Sequence, residues 1–371
     1  ARHGASVKSV KKRCVKNCYS LPTRAGKKGR VSCCDVVISY PWENFGHNIS
    51  MLLTTIAGEI FDLRELTAVK VTGVKFPPDF LSGFKGPKFG VEGCRKIVKA
   101  RGRPLFGAII KPCVGLKPKE IAALAYEAAL GGADFIKDDE LLADAPYNRL
   151  KERAAAVSGA LAAAFEKTGK ITMYAFNVTD DPASVIALHD TVVEAGAKAV
   201  MFNVLAGGFN TLKTLAAHTE VPIHCHRDFS IAAIRSPHLG ISADVFTTLT
   251  RLCGGDQIQC GGIDGYIYET DEEVLENFAA CSAGMGRIKP SLPVSSGGMC
   301  PGKLPVNLKK IGHTDFMFLA GGGVFGHPKG GRAGMKAMFE AWEAVRKGIP
   351  LRSAEGESLR EAVKEFGEGK R

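Results

Sequence analysis

The chain has 371 residues, 45% of them apolar, and a formal net charge of +11. That length exceeds one small domain and suits a barrel of roughly 250 residues plus a smaller unit. No stretch approaches the ~18 uncharged apolar residues of a membrane span, and no signal-peptide pattern opens the sequence, so neither a membrane nor a secretory reading is supported.

The charge is local. Residues 1–30 hold Arg2, Lys8, Lys11, Lys12, Arg13, Lys16, Arg24, Lys27, Lys28 and Arg30 and no acid; subtracting these ten from +11 leaves +1 for the remainder. Basic runs can contact nucleic acid or acidic lipid. This one lacks interleaved aromatics, so a solvated or partly ordered arm is expected, with no nucleic-acid partner. Cys14, Cys18, Cys33 and Cys34 match a zinc set only loosely, without a paired histidine motif. Cys113, Cys225, Cys253, Cys260 and Cys281 lie in or beside apolar runs, where reduced cysteine acts as a small hydrophobe. A reducing, cytoplasmic setting is expected.

Along the chain, Val36–Tyr40 and Thr67–Val74 read as strands and Ile49–Phe61 as a helix, part of a small α/β unit in residues 1–100. From residue 101 the rhythm changes. Strand-like runs occur at Leu105–Ile110, Ala133–Ile136, Ile171–Val178, Ala199–Leu205, Val221–His226, Asp256–Cys260, Leu292–Ser295 and Phe316–Ala320. Helix-like segments alternate with them: Lys119–Leu130, Leu150–Thr168, Pro182–Ala195, Thr211–His218, Ala243–Leu252, Asp271–Ala283, Leu304–Ile311 and Gly334–Lys347. Eight strands alternating with eight helices specify an α/β fold, a (β/α)8 barrel over residues 101–371. Near-continuous apolar strands suit a parallel sheet covered on both faces.

Barrel enzymes place their chemistry at the C-terminal ends of strands. The first strand ends in Lys111-Pro112, where partial desolvation is expected to lower the lysine pKa and make it a general base; a barrel-mouth salt bridge to Asp139 or Glu140 is the alternative. The second runs into Lys137, Asp139 and Glu140. Two carboxylates suit a hard divalent cation such as Mg²⁺. A lysine in that company makes sense if its nitrogen carries CO₂ as a carbamate, a third oxygen ligand; a salt-bridged surface cluster is the other reading. The third strand ends in Asn177, followed by Thr179-Asp180-Asp181, where helix capping accounts for the acids. In His224-Cys225-His226-Arg227, alternation puts both histidines on one face. Arg227 could grip a phosphate bidentately and His226 could handle a proton. Glycine loops follow the last two strands, Ser295-Ser296-Gly297-Gly298 and Gly321-Gly322-Gly323, where many barrels bind phosphate.

With these residues the chain resembles the large subunit of ribulose-bisphosphate carboxylase (RuBisCO) from about residue 36 onward. The resemblance rests on Ile109 to Pro112 with Gly115-Leu116, Gly131 to Glu140, His224 to Arg227, Gly254 to Asp256, Ser296 to Gly298, and Gly321 to Pro328. It implies a small α/β ferredoxin-like N-terminal domain, of which residues 1–100 carry part, before the barrel. It also implies that Lys137 is the carbamylated lysine, Asp139 and Glu140 are Mg²⁺ ligands, and Lys111 is the enolising base. His226 would handle protons, Arg227 would hold one phosphate end, and Ser296, Gly297, Gly298, Gly321 and Gly322 the rest of the substrate and the other phosphate.

The departures matter as much. Cys113 replaces a lysine, Tyr266 replaces the lysine of the loop after strand six, Gln259 replaces a phosphate-binding histidine, and Glu59 replaces an asparagine of the small domain. Removing an aimed cation from a developing carboxylate costs on the order of 10²–10³ in rate. The pattern resembles the RuBisCO-like proteins (form IV), which act on phosphorylated sugar derivatives, including those of methionine salvage. It implies a Mg²⁺-dependent isomerase or enolase acting on a phosphorylated ketone as a homodimer or larger homo-oligomer, and not CO₂ fixation. Alternatives are a decarboxylase of a phosphorylated oxo acid, a residual carboxylase, or a non-catalytic binding protein that kept the site.

Overall fold

The computed structural model describes residues 3–17 and 29–369. Strand β1 (Ser6–Asn17) pairs antiparallel with β2 (Arg30–Ser39), so the described part of the basic arm forms one side of a hairpin. Its valines favour extended backbone, and Arg13 forms an ion pair with Asp35 of the opposite strand. Residues 1, 2 and 18–28, with Cys18 and four of the arm's cations (Arg2, Arg24, Lys27 and Lys28) among them, lie outside the described residues.

The expected helix Ile49–Phe61 is two pieces. A helix over Ile49–Ala57, capped where Asn48 accepts from the Met51 N–H, stops at Gly58, and a short 3-10 turn, Glu59–Phe61, follows. A Cβ at Gly58 would stand 2.3 Å from the Thr54 carbonyl oxygen, which only glycine avoids. Strand β3 (Lys70–Val71) is shorter than read and ties this small α/β unit to the rest of the chain.

Eight parallel strands close a barrel: β4 (Leu105–Ile109), β5 (Phe135–Lys137), β6 (Met173–Asn177), β7 (Ala199–Asn203) and β8 (Ile223–His226) come first. After β9 (Gly240–Ile241), which lies outside the barrel and pairs with β3, come β10 (Gln257–Gln259), β11 (Leu292–Ser295) and β12 (Met317–Ala320). Closure is made by β12 against β4, with Met317 opposite Leu105 and Ala320 opposite Ala108. The intervening helices fall where the sequence puts them, Leu150–Thr168, Ala243–Leu252 and Leu304–Ile311 to the residue.

The N-terminal end of the barrel is plugged. Helix Gly90–Val98 buries Cys94 and Val98 against a core of Leu105, Phe135, Met173, Met201, Leu292, Met317 and Leu319. Each such side chain contributes roughly 1.5–3 kcal/mol on burial. Asp256, fully buried, accepts from the N–H groups of Phe89, Gly90 and Ile223 and locks that helix to the barrel floor. The opposite end, where the strands finish, stays free for polar side chains.

Candidate active site at the barrel mouth

Lys137 ends β5 and is completely buried. Its Nζ donates to the Asp138 carbonyl at 3.0 Å and to Glu140 Oε2 at 2.8 Å. Lys111, just past β4, donates to Asp139 Oδ2 at 2.5 Å and to Cys113 Sγ at 3.0 Å. Two lysine–carboxylate pairs therefore stand side by side at neighbouring strand ends, and the salt-bridge alternative for Lys111 holds in this structure.

The expectation for the Lys111 pKa is corrected. Burial pulls it down, but the hydrogen bonds to Asp139 and Cys113 and the charges of Asp139 and Glu140 outweigh burial and leave it above the ordinary lysine value. Burial alone would raise Glu140, yet the charges of Lys137 and His226 bring its carboxyl down to about 2.

Asp138, between the two pairs, belongs to the frame. It is fully buried and accepts from the Tyr174 hydroxyl at 2.6 Å, the Asn177 N–H at 3.0 Å and Arg153 Nε at 3.2 Å. Asn177 and Asn203, at the ends of β6 and β7, both donate to the Glu140 carbonyl, at 3.1 and 3.2 Å. These residues hold the loop after β5 in one shape.

His226 Nε2 lies 3.4 Å from Glu140 Oε2, and its Nδ1 accepts from the Asp228 N–H at 3.2 Å. With Nδ1 accepting, the proton of the neutral ring sits on Nε2, facing Glu140. Burial and the nearby Lys137 charge hold the His226 pKa well below the usual histidine value. His224 shares its face but serves a different network. Gln259 Nε2 contacts His224 Nε2 at 3.2 Å, His224 Nδ1 contacts Gln257 Oε1 at 3.1 Å, and the Ser296 hydroxyl donates to Gln259 Oε1 at 2.8 Å. Burial lowers the His224 pKa to about 3.

The glycine loops flank this centre. A Cβ on Gly321 would stand 2.9 Å from Lys111 Cε, and one on Gly298 would stand 2.4 Å from the Tyr266 ring. Gly297 and Gly298 have φ of +97° and +79°, values that favour glycine. Gly322 opens a short helix, Gly322–Phe325.

Two expected site residues stand apart. Arg227 is committed to a bidentate pair with Glu269, Nη1 to Oε1 at 2.7 Å, and Glu269 is held in turn by Asn277 at 3.0 Å. Its charge is thus already balanced by a buried carboxylate. Glu59 is exposed on its 3-10 turn and makes no hydrogen bond to the barrel mouth among the described residues. The acids Asp180 and Asp181 do not cap as expected: the next helix starts at Val185, where Asp181 offers its backbone carbonyl to the Ser184 N–H at 2.8 Å.

Sequence reasoning assigned no role to Asp138, Asn203, Asp228 or Glu269. A polar residue closing an apolar strand, as in Met201-Phe202-Asn203, was the available signal for Asn203. Nothing local announces Glu269, whose partner is 42 residues away.

The donor chemistry suits a hard cation bound with CO₂. Lys111, Lys137, Asp139 and Glu140 are neutral together. Converting the Lys137 ammonium to a carbamate would leave two negative charges, the complement of one divalent ion. Two carboxylates and a carbamate are all-oxygen ligands, as Mg²⁺ prefers. The buried Oδ1 of Asn203, whose amide holds Glu140, has no hydrogen-bond partner among the described residues.

A parallel barrel with paired lysines and carboxylates, a buried histidine and glycine loops at its strand ends has the layout of the barrel enzymes. The family model "Ribulose bisphosphate carboxylase large chain, catalytic domain" matches residues 90–366 and that of the N-terminal domain residues 7–80, so the chain belongs to the RuBisCO large-chain family. It is 40% identical over 333 residues to a ribulose bisphosphate carboxylase-like protein of Chlorobaculum tepidum, covering 90% of this chain and 77% of that one. It is 36% identical over 356 residues to a 3-oxo-isoapionate-4-phosphate decarboxylase of Rhizobium rhizogenes, covering 94% and 84%. A rubisco-like protein structure from Burkholderia fungorum superposes with a TM-score of 0.93 at 34% identity, covering 98% and 92%. A dimeric archaeal Rubisco from Hyperthermus butylicus gives 0.87 at 31%, covering 99% and 86%. No helix among the described residues is long and apolar enough to cross a membrane. Cys94, Cys225, Cys253, Cys260, Cys281 and Cys300 are buried thiols.

Proposed function

We propose that this RuBisCO-like chain is an enzyme that moves a proton next to a ketone in a phosphorylated, sugar-derived substrate and does not fix CO₂. The observation that carries it is Lys111 Nζ 2.5 Å from Asp139 Oδ2, a base candidate touching the metal-ligand candidates. Lys137 as a carbamate, Asp139 and Glu140 would hold Mg²⁺, which when bound would polarise the substrate carbonyl. Lys111, freed from Asp139, would take the α-proton; His226, with its Nε2–H turned inward, would return one to another atom of the substrate. The backbone N–H groups of Gly297, Gly298, Gly321 and Gly322 would hold the phosphate, and Ser296 and Gln259 would orient the chain of the substrate.

The far end fits an uncharged group. Arg227 is already neutralised by Glu269, and Gln259 carries no charge, so nothing there favours a second phosphate. Cys113 and Tyr266 stand where carboxylation needs cations. Decarboxylation of a phosphorylated 3-oxo acid is the second reading, favoured by the similarity to the Rhizobium rhizogenes decarboxylase. We further propose a homodimer in which Glu59 of one copy reaches the barrel mouth of the other. The dimeric relative supports this.

The test is a panel of phosphorylated pentose derivatives incubated in D₂O with Mg²⁺ and bicarbonate and followed by NMR. Deuterium at the carbon next to the ketone is expected, and ribulose bisphosphate with labelled CO₂ should give no acid-stable product. No exchange with any phosphorylated ketone, or robust fixation, overturns the proposal.

A further inference from the structure

Below the mouth, helix Val185–Glu194 carries His189 and Asp190, and helix Phe209–His218 ends in His218, next to the start of β8 at the floor of the barrel. Asp190 Oδ1 lies 2.8 Å from His189 Nδ1 and 2.6 Å from His218 Nε2. The two rings meet edge-on, their centroids 5.1 Å apart.

Thr219 decides what His189 can do. Its hydroxyl donates its one proton to the Val221 carbonyl at 2.8 Å and accepts from the Val221 N–H at 3.1 Å. It also lies 2.8 Å from His189 Nε2, so with that proton spent, His189 Nε2–H must be the donor. In the neutral ring Nδ1 is then a bare lone pair. His189 is only 3% exposed, and this lone pair points at the Asp190 carboxylate oxygen 2.8 Å away. Two acceptors at that distance need a proton or a metal ion between them.

We propose that His189 Nδ1, the Asp190 carboxylate and His218 Nε2 form a binding site for an imidazole-preferring divalent cation such as Zn²⁺, separate from the barrel-mouth centre. Two imidazoles and one carboxylate are a recurrent three-ligand set for zinc, leaving the fourth position to water. The outward Nε2–H bond to Thr219 is the second-sphere contact that fixes a ligating imidazole in the right tautomer. All three ligand atoms lie within 4.8 Å of one another. Bonds of ~2.0 Å at a tetrahedral angle place ligand atoms about 3.3 Å apart, so the trio opens slightly on binding. Asp190 and His218, with side chains 46% and 41% exposed, are free to make that adjustment and give the ion a path in. Bound metal would clamp the two outer helices to each other.

The experiment titrates Zn²⁺ calorimetrically into the chelator-stripped 371-residue chain held in excess Mg²⁺, beside His218→Ala and Asp190→Asn. His218 is exposed at a helix end, so its variant should fold, which unfolding without zinc checks. The wild type is expected to take one more equivalent than either variant, or to bind that equivalent about a hundredfold or more tighter, and its thermal midpoint should rise with zinc while theirs does not. Identical stoichiometry, affinity and thermal response in all three proteins overturns the proposal, as does absence of saturable uptake by the wild type. Zinc would then bind only at the mouth or at exposed thiols such as Cys34, or a proton would bridge His189 and Asp190.

Discussion

Gly321 packs against Lys111 across the seam where β12 meets β4, a Cβ there falling 2.9 Å from Lys111 Cε. The φ of Gly321 is −96°, so the backbone tolerates alanine and the added methyl is absorbed by moving the lysine. Gly321→Ala should leave the thermal midpoint within a few degrees of wild type, a cost of about 1 kcal/mol or less. Proton exchange should fall tenfold or more, because a displacement near 1 Å at a reacting group is costly. An unchanged exchange rate in D₂O would detach Lys111 from the chemistry.

Lys111→Met keeps the aliphatic stem and removes the proposed base. Exchange of the α-proton should drop by roughly 10²–10⁴, the usual worth of a positioned acid or base. NMR of the substrate in D₂O measures it. Retained exchange would transfer the role to His226.

Lys137→Ala deletes the buried amine that would carry CO₂. Mg²⁺ binding in the presence of a substrate analogue, measured by calorimetry, should lose its dependence on bicarbonate and weaken severely. Undiminished binding would leave Lys137 as a partner of Glu140 only.

His224 supplies a pH signature. Its folded pKa is depressed to about 3, from a usual value near 6.5, through burial first and then the Lys137 charge. A depressed histidine is neutral when folded and protonates in the unfolded chain, so its stabilisation is intact above about pH 6.5 and is lost as pH falls towards 3. The slope approaches ~1.4 kcal/mol per pH unit for one proton. Denaturant midpoints measured at several pH values between 7 and 4 should decline, and His224→Gln should flatten the decline. Parallel curves for the two proteins would refute the assignment.

Glu59→Ala should lower activity without lowering the stability of the chain, since Glu59 is exposed and unpaired with the mouth in a single copy. Sedimentation should show a dimer for both proteins. A fully active monomer would exclude a site shared between copies.

The barrel was legible because eight apolar runs and their intervening amphipathic segments each carry their own period, and the Gly131–Glu140 run put both ligand candidates and the lysine in ten residues. What escaped was non-local or of ambiguous sign. Burial suggested a lowered Lys111 pKa, but its partner Asp139 lies 28 residues away and wins. Arg227 looked free for phosphate because Glu269 reaches it only through the fold. The hairpin was missed because its cations spread over both faces, and alternation there carries no apolar side for the eye to follow.

Asp138 is gripped from a helix and a neighbouring strand while its flanking residues Lys137 and Asp139 do the facing inward. The loop carrying the exposed Tyr266 and Tyr268, and Cys113, by contrast, lie at the rim. A designer seeking a new activity should therefore randomise that rim and leave the Asp138 anchor untouched, since variation at the edge would change which molecule is admitted while the proposed centre keeps its shape.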